Sequence, residues 1–368
     1  MTLADSERDS AELALLSPMD PATRTEINSL LKQVSRSFYL TLRVLPQAVR
    51  PQIGLAYLLA RATDTIADTA IVPVAARLSA LAAFRDRIVG VSDKPVTLAQ
   101  FVGAQMQSGT STEGSGAPAL PGEQLVLARI EEFVGALRQF SADDQELIGQ
   151  VLSIIISGQE LDLRRFAEAG PRHIVSLRNE EELDDYTYRV AGCVGEFWTR
   201  MCRAHFFFGE AVDEALLLKK GVRFGKGLQL VNVLRDLPAD LRQGRCYLPE
   251  DRLASVGLKP GDLLKVDSFD LLRPLFNELL AVAEAHLEQG WEYATMLPKR
   301  FYRIRLACAW PILIGVATVA KLRSGNVLDA SRRIKVTRSE VRKLVLGAII
   351  GAFIPRIWHR LFDRAKLV

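Results

Sequence analysis

Residues 53–72 read IGLAYLLARATDTIADTAIV, a run in which apolar residues recur at helical spacing and only Arg61, Asp64 and Asp68 carry charge. The two aspartates are four residues apart, so both carboxylates lie on one face of the predicted helix. Like charges at this spacing repel each other, so an apolar helix that carries them needs a nearby positive charge to offset the repulsion. Because a divalent cation would supply that charge, the stretch predicts an apolar helix with a metal-binding face.

A second stretch, QLVNVLRDLPAD at 229–240, has the same chemistry. Its Asn232, Asp236 and Asp240 follow at four-residue intervals, so three oxygen-bearing side chains share one helix face. Mg²⁺ prefers oxygen ligands and commonly binds through a few carboxylates together with substrate phosphates. Two such helices facing each other would hold a diphosphate through Mg²⁺. Arg235 and the arginine of the first stretch would add fixed positive charge for an anionic leaving group.

Each acidic stretch also has a simpler interpretation, a solvated helix face with intrahelical salt bridges, because acidic pairs at this spacing are common. Two stretches that are both embedded in apolar sequence, beside Arg and Asn or Gln, favour the metal interpretation. Both interpretations stay open at this point of the sequence.

The rest of the chain is also periodic at helical spacing, and strict two-residue alternation over five or more positions is hard to find. The 368 residues, 49% hydrophobic and 24% charged, suffice for a large core, and we predict an all-α protein. Residues 107–122 (QSGTSTEGSGAPALPG) have no periodic apolar face and predict a flexible loop. We expect one catalytic domain over 21–330, between a tail at 1–20 and a basic and apolar extension at 331–368.

Charge is unevenly distributed, since residues 299–368 carry 16 Lys or Arg and 3 Asp or Glu in a chain whose net charge is +4. The N-terminus is polar and acidic, unlike a signal peptide. The longest apolar stretch, 344–355, has 12 residues, fewer than the roughly 20 of a membrane span. We expect a cytoplasmic protein without a nucleic-acid partner, and the sequence leaves the oligomeric state open.

Several common sites are absent from the sequence. The four cysteines have no CxxC spacing, so neither a disulfide framework nor a zinc site is expected. The four histidines form no HExxH motif, and the sequence has no GxGxxG after a strand pattern and no phosphate loop. These absences argue against a zinc protease, a dinucleotide-binding fold and a phosphate-loop enzyme.

Five short blocks, in one order, resemble the squalene/phytoene synthases, a family that joins two prenyl diphosphates head to head. They are SRSF at 35–38, the first aspartate-rich helix, YTYRVAGCVG at 186–195, the second aspartate-rich helix and GRCYLP at 244–249. The resemblance covers about residues 25–325 and is strongest to the squalene synthases of bacteria.

The resemblance implies a class I isoprenoid synthase, a bundle of helices that encloses an apolar tunnel with the aspartate-rich helices at its mouth. Tyr186 is the residue that it implicates in the first condensation, together with the aspartates. The implied Mg²⁺ ligands are Asp64, Asp68, Asn232, Asp236 and Asp240. The implied substrate-binding residues are Ser35, Arg36, Tyr57, Arg61, Gln229, Asn232 and Arg235.

The implied reaction starts with ionisation of one prenyl diphosphate and attack by the double bond of a second, and it gives presqualene diphosphate from farnesyl diphosphate. A squalene synthase then reduces this intermediate with NADPH. The IKVTR stretch at 334–338 is loosely similar to a VKIRK segment that squalene synthases use for the cofactor. Lys335 and Arg338 are therefore the expected cofactor ligands. The alternative is that this basic segment and the apolar residues 344–358 contact anionic lipid at a membrane surface.

Three functions stay open. The first is a squalene synthase, favoured because the chain continues past the family core with the basic segment. The second is a presqualene diphosphate, dehydrosqualene or phytoene synthase, which performs the same condensation without reduction on a C15 or C20 substrate. The third is a non-catalytic lipid-binding or assembly protein of the same fold. The aspartates and arginines of the two stretches favour an enzyme over this third function.

Overall fold

The structure is a computed structural model of the chain. It describes residues 21–35, 38–108, 121–206, 212–329, 331–332 and 334–367. The predicted tail lies outside the described residues, as do residues 109–120 of the predicted loop. Helices end at Ser108 and begin at Pro121 on the two sides of that gap.

The described residues are mostly helical and include only two short strands, which confirms the predicted all-α class. In chain order the α-helices are α1 (Pro21–Val34), α2 (Phe38–Val44), α3 (Arg50–Asp68), α4 (Val74–Ile88), α5 (Ala99–Ser108), α6 (Pro121–Ala128), α7 (Ile130–Leu137), α8 (Ala142–Arg165), α9 (Glu180–Thr187), α10 (Cys193–His205), α11 (Glu214–Arg242), α12 (Glu250–Ser255), α13 (Phe269–Met296), α14 (Tyr302–Ser324), α15 (Arg338–Phe353) and α16 (Pro355–Ala365). The other elements are strands β1 (Val175–Leu177) and β2 (Arg245–Pro249), a π-helical turn (Tyr188–Gly192) and 3₁₀ turns (Pro260–Leu264, Val266–Ser268 and Lys299–Phe301).

Contacts divide the described residues into two compact units. The first contains those within 1–163 and 200–210, and in it α3 packs against α1, α2, α4, α6 and α7. The second contains those within 164–199 and 211–368, and its centre is the packing of α11 on α13 and of α13 on α14. The domain boundaries and the apolar tunnel expected from the sequence stay predictions.

The two short strands were not predicted from the sequence. Strands β1 and β2 pair in parallel, with Val175 opposite Arg245 and Ser176 opposite Cys246. The strand β2 is buried at four consecutive positions, from Cys246 to Pro249. A strand that is buried on both faces has no two-residue alternation, so periodicity does not reveal it.

Residues beyond 330 belong to the second unit, where α15 and α16 pack against α14. The buried Trp358 of α16 stacks on Trp291 of α13, with ring centroids 4.7 Å apart. Its indole Nε1 donates a hydrogen bond to Oγ1 of Thr295 at 3.0 Å. The guanidinium of Arg305 lies 4.2 Å from the centroid of the same ring, in a cation–π contact. These contacts fix α16 to α13 and α14.

One segment, 299–324, is long and apolar enough to cross a membrane by length and composition, with a mean hydropathy of 1.5 in its most apolar window. Of this window, 78% is buried inside the protein. Core helices of folded proteins meet the same criteria, and α14, which forms most of the segment, packs against α13 and α15 in this way.

Candidate active site

Helix α3 buries its apolar side in the first unit and leaves a polar side partly exposed. That polar side carries Tyr57, Arg61, Asp64 and Asp68 in successive turns. Pro51 lies in the first turn, where its missing N–H needs no helical partner. The two aspartates thus share the accessible side of a helix that is otherwise largely buried.

Arg61 lies between two acidic side chains. Its Nε donates a hydrogen bond to Oε1 of Glu123 at 3.1 Å, and its Nη1 is 3.5 Å from Oδ2 of Asp64. Glu123 belongs to α6, and only 9% of its side chain is exposed. Burial lowers the pKa of Arg61, but the hydrogen bond to Glu123 and the charge of Asp64 outweigh it and raise this pKa above its usual value. The pairing holds the guanidinium beside the aspartates.

Asp64 is accessible, with 44% of its side chain exposed, yet the protein around it disfavours its charge. Partial loss of hydration in the folded protein, and then the negative charge of Asp68, raise the pKa of Asp64 to about 6, against the opposing effects of Arg61 and of a hydrogen bond from Gln159. This hydrogen bond runs from Nε2 of Gln159 to Oδ1 of Asp64, at 2.7 Å. A bound cation would offset the repulsion between the Asp64 and Asp68 carboxylates.

Sequence reasoning missed Gln159 and Glu123. Gln159 is a polar residue in the buried stripe of α8, where Ile156 and Leu163 are its neighbours, and that exception is the signal that could have identified it. Glu123 lies in an apolar helix, but nothing in the sequence relates it to Arg61, which is 62 residues away. Both side chains orient residues of the first stretch.

The second aspartate-rich stretch lies on α11, in the second unit. Asn232, Asp236 and Asp240 are partly exposed, while most of the apolar residues between them are buried. Arg235 binds the neighbouring Asp236 through two hydrogen bonds, Nε to Oδ1 at 2.9 Å and Nη2 to Oδ2 at 2.5 Å. The hydrogen bond to Asp236 is the main reason why the pKa of Arg235 is raised. The three oxygen-bearing side chains therefore lie on one face of this helix.

Tyr186 is buried next to this stretch. Its ring stacks on Tyr247 of β2, with centroids 4.4 Å apart and an angle of 26° between the planes. Its hydroxyl oxygen accepts a hydrogen bond from Nε2 of Gln229 at 3.1 Å, and Oε1 of Gln229 accepts one from Nδ2 of Asn232 at 3.4 Å. A chain of hydrogen bonds thus joins the tyrosine to the aspartate-rich face of α11.

The position of Tyr186 depends on backbone packing between the π-helical turn, the start of α10 and α11. A Cβ atom on Gly195 would overlap the carbonyl group of Gly221, and one on Gly225 would overlap the carbonyl group of Ala191. Only glycine allows these two helical segments to approach so closely. The VAGCVG sequence and the glycines of α11 therefore pack directly against each other.

Two of the remaining predicted substrate ligands, Ser35 and Tyr57, lie in the first unit. Ser35 is buried, and its Oγ donates a hydrogen bond to the carbonyl oxygen of Leu31. The Tyr57 hydroxyl is 3.5 Å from the carbonyl oxygen of Val34, and its ring stacks on Phe38 at 5.0 Å. Arg36 lies outside the described residues. The substrate-binding role of all three residues stays a prediction.

The chemistry of the donors is compatible with Mg²⁺. In the described part of the chain, no group of three or more His, Cys, Asp or Glu side chains could hold a metal ion by itself. Mg²⁺ does not need such a group, because it usually binds through one or two carboxylates together with water and substrate phosphates. Asp64 with Asp68, and Asp236 with Asp240, each provide two carboxylates. Asp236 would share its charge between the cation and Arg235.

The two predicted cofactor ligands lie apart from the aspartates in sequence, at the start of the C-terminal helices. Lys335 lines a groove of about 420 Å³ together with Lys321, Asn326 and Arg332. Arg338 is exposed at the first residue of α15 and is not among the residues that line the groove. The groove is also lined by Asp329, and the cofactor role of Lys335 and Arg338 stays a prediction.

Most of the chain is similar to known proteins. The family described as squalene/phytoene synthase matches residues 31–340. Human squalene synthase is 25% identical over 341 residues, which cover 90% of this chain and 73% of that protein. The presqualene diphosphate synthase of Sinorhizobium fredii is 27% identical over 267 residues, which cover 73% of this chain and 77% of that protein. The structure of TcSQS with the ligand BPH1237 has a TM-score of 0.70 at 19% identity and covers 93% of this chain and 90% of that one, which shows a shared fold.

Proposed function

The chain belongs to the squalene/phytoene synthase family, and from this premise we propose that it is a squalene synthase, which joins two farnesyl diphosphates and reduces the product. As a member of this family it is a prenyltransferase that condenses prenyl groups head to head. The observation that carries the proposal is the pair Asp64 and Asp68, on the accessible side of an otherwise buried helix with Arg61 fixed beside them.

We assign binding of the diphosphates to the two aspartate-rich faces. Mg²⁺ held by Asp64, Asp68, Asn232, Asp236 and Asp240 would draw electrons toward the diphosphate leaving group. Arg61 and Arg235 would supply positive charge for the leaving group, and their hydrogen bonds to Glu123 and Asp236 hold both guanidinium groups next to the aspartates. In this step the bond between C1 and the diphosphate oxygen breaks, and both electrons leave with the diphosphate.

We assign proton movement in the first condensation to Tyr186. The double bond of the second substrate forms the new carbon–carbon bond, and loss of one proton then closes the cyclopropane ring of presqualene diphosphate. The hydrogen bond from Gln229 and the stacking on Tyr247 hold the Tyr186 side chain in one position, which supports this role, and the proton would pass to the released diphosphate. The aromatic faces of the two rings would also stabilise a nearby carbocation.

The reductive step is assigned to the groove lined by Lys335, Lys321 and Arg332. NADPH would supply the hydride for reduction, and these side chains would bind its phosphates. Two of the three cations have acidic neighbours, since Nζ of Lys321 is 2.9 Å from Oε1 of Glu340 and Nε of Arg332 is 3.8 Å from Oδ2 of Asp329. Lys335 is therefore the cation that we expect to contribute most to cofactor binding.

The second candidate function is the same condensation without reduction, as in a presqualene diphosphate, dehydrosqualene or phytoene synthase. The observation that favours it is that only one of the two predicted cofactor ligands, Lys335, is among the residues that line the groove. A non-catalytic lipid-binding or assembly role is disfavoured, because such a protein has no need of carboxylates next to fixed arginines.

Product analysis separates these functions. The purified protein is incubated with farnesyl diphosphate and Mg²⁺, with and without NADPH, and a parallel reaction contains geranylgeranyl diphosphate. Squalene formed only with NADPH is the expected result. Presqualene diphosphate or a dehydrogenated C30 product that accumulates regardless of NADPH would favour the second candidate, and a C40 product would identify a phytoene synthase. The absence of product from both substrates would support the non-catalytic role.

A further inference from the structure

Helix α15 has large apolar side chains on the side that faces away from the protein. Its inner side is packed through Leu344, Ala348 and Gly351, which are buried. On the outer side, 58% of Leu346 and 68% of Phe353 are exposed. A surface helix of a globular protein normally has polar residues on its outer side, so α15 is unusual in being apolar on both.

The exposed apolar residues form one surface, which we call the α15 face. Its members are Leu346, Ile349, Ile350, Phe353 and Ile354, with Tyr302 of α14. The first four occupy positions i, i+3, i+4 and i+7 of the helix and therefore lie on one side of it. The ring of Tyr302 is 5.5 Å from that of Phe353, so the surface continues from α15 onto α14. Exposed apolar surfaces of this kind usually mark an interaction site.

Positive charge surrounds the α15 face. Residues 338–367 contain seven Lys or Arg, all of them exposed, and two acidic residues, Glu340 and Asp363. Both acids have basic neighbours, because Glu340 pairs with Lys321 at 2.9 Å and Asp363 lies 3.8 Å from Lys366. Arg342 and Lys343 precede the apolar residues by one turn, and Arg356 follows them at the start of α16. The apolar centre thus has a basic rim.

We propose that the α15 face binds the surface of an anionic lipid bilayer. An exposed apolar helix side with Lys and Arg at its margins is typical of helices that lie in the plane of a membrane interface. Phe353 and Leu346 would insert between lipids, Tyr302 would lie at the level of the headgroups, and the basic rim would bind their phosphates. The proposal is independent of the reaction, since most of the face lies beyond residue 340, where the family match ends.

A second copy of the chain is a poorer occupant of the same surface. A two-fold dimer places the same surface of both copies against each other. The basic rim of one copy would then face the basic rim of the other, and like charges brought together at an interface disfavour association. An anionic bilayer provides the opposite charge.

The experiment is flotation of the full chain with lipid vesicles of two compositions, pure phosphatidylcholine and phosphatidylcholine with one quarter phosphatidylglycerol. The double variant Leu346→Asn, Phe353→Asn removes apolar contact, and the double variant Arg342→Gln, Arg356→Gln removes rim charge. Leu271→Asn is the matched control, because Leu271 is 57% exposed on α13, outside the α15 face. Circular dichroism and activity with farnesyl diphosphate are measured for each variant, so that loss of folding is recognised.

We expect binding to the anionic vesicles only, and weaker binding at high salt. The apolar double variant should reduce the vesicle partition coefficient by about tenfold or more, and each neutralised arginine by about fivefold. Leu271→Asn should bind like the unmodified chain. The proposal is overturned if the unmodified chain does not float with anionic vesicles, or if the control loses as much binding as the apolar variant. It is also overturned if the apolar variant instead converts a dimer into a monomer in light scattering, which would identify a second copy as the occupant.

Discussion

The side-chain amide of Gln159 donates to Oδ1 of Asp64 across 2.7 Å, although the two residues are 95 positions apart in the chain. The same nitrogen also donates to Oγ1 of Thr63 at 3.0 Å. The amide oxygen of Gln159 is buried without a hydrogen-bond partner in the described structure. Leaving a buried oxygen unsatisfied is costly, so this glutamine orients the carboxylate at the expense of stability.

Replacement of Gln159 by Leu tests this relationship. The Asp64 carboxylate loses a hydrogen bond, and bonds to charged groups contribute about 1.5–3 kcal/mol. We therefore expect kcat/KM for farnesyl diphosphate to fall roughly tenfold to a hundredfold. The free energy of unfolding should change little, because the unsatisfied amide oxygen is removed as well. Gln150→Leu, at an exposed site of the same helix, is the control and should keep full activity.

Asp64→Asn and Asp236→Asn each remove one negative charge without changing the shape of the side chain. If these carboxylates hold the cation that stabilises the leaving group, turnover should fall at least about a hundredfold in each variant. Helical content should stay close to that of the unmodified protein. Asp93→Asn provides the control, since Asp93 is fully exposed in a loop. Full activity in either aspartate variant would contradict the assignment of the metal site.

Tyr186→Phe removes the hydroxyl that accepts from Gln229 and keeps the ring that stacks on Tyr247. Groups that move a proton in the rate-limiting step usually contribute about a hundredfold or more. We expect kcat of the first condensation to fall by this factor, while KM changes by less than about threefold. This is the pattern for an interaction that forms only in the transition state. Tyr247→Phe should retain most of the activity. Equal activity of the two variants would assign Tyr186 to packing.

The sequence was sufficient for the fold class and for the faces of α3 and α11, because helical periodicity places Asp64 beside Asp68 without any tertiary information. It could not predict the partners of these residues. Glu123 and Gln159 reach the first stretch through packing of separate helices, and no local pattern encodes such a contact. Periodicity also failed at β2, since a strand buried on both faces reads as a plain apolar run.

Gly225→Ala tests the contact between α11 and the backbone at Ala191. The added Cβ would overlap a carbonyl group, which cannot turn away as a side chain can. We expect a loss of about 1–3 kcal/mol in the free energy of unfolding, even though alanine favours a helix over glycine. Thermal unfolding measures this loss. Gly261→Ala serves as the control, because a Cβ there meets no atom within 4 Å. Equal stability of the two variants would contradict the close packing.

The stability of the protein should depend on pH through His286. Burial, and then the charges of Arg223 and Lys226, lower the pKa of this histidine to about 4. Nε of Arg223 donates to Nδ1 of His286 at 3.2 Å, which requires the ring nitrogen to be unprotonated. Between pH 6.5 and pH 4 the unfolded chain binds the proton and the folded chain does not, so the free energy of unfolding falls as the pH falls.

Denaturant unfolding at pH 7 and at pH 5 checks this expectation. The loss of stability between the two pH values should be smaller in His286→Gln, which has no titrating ring. His173→Gln, at an exposed position, should behave like the unmodified protein. An identical pH dependence in all three proteins would show that His286 titrates normally in the folded chain.

Because a π-helical turn lies between Tyr188 and Gly192, the number of residues in this segment determines which side chains face α11. Tyr186 and Gly195 are nine residues apart, which corresponds to about two and a half turns of an uninterrupted α-helix. In such a helix the two residues would lie on opposite sides. Both nevertheless contact α11, one through Gln229 and the other at Gly221. The wide turn absorbs part of the difference. Deletion of a single residue here would therefore be more harmful than most substitutions, because it would rotate the tyrosine away from its partner while every side chain of the site stayed present in the sequence.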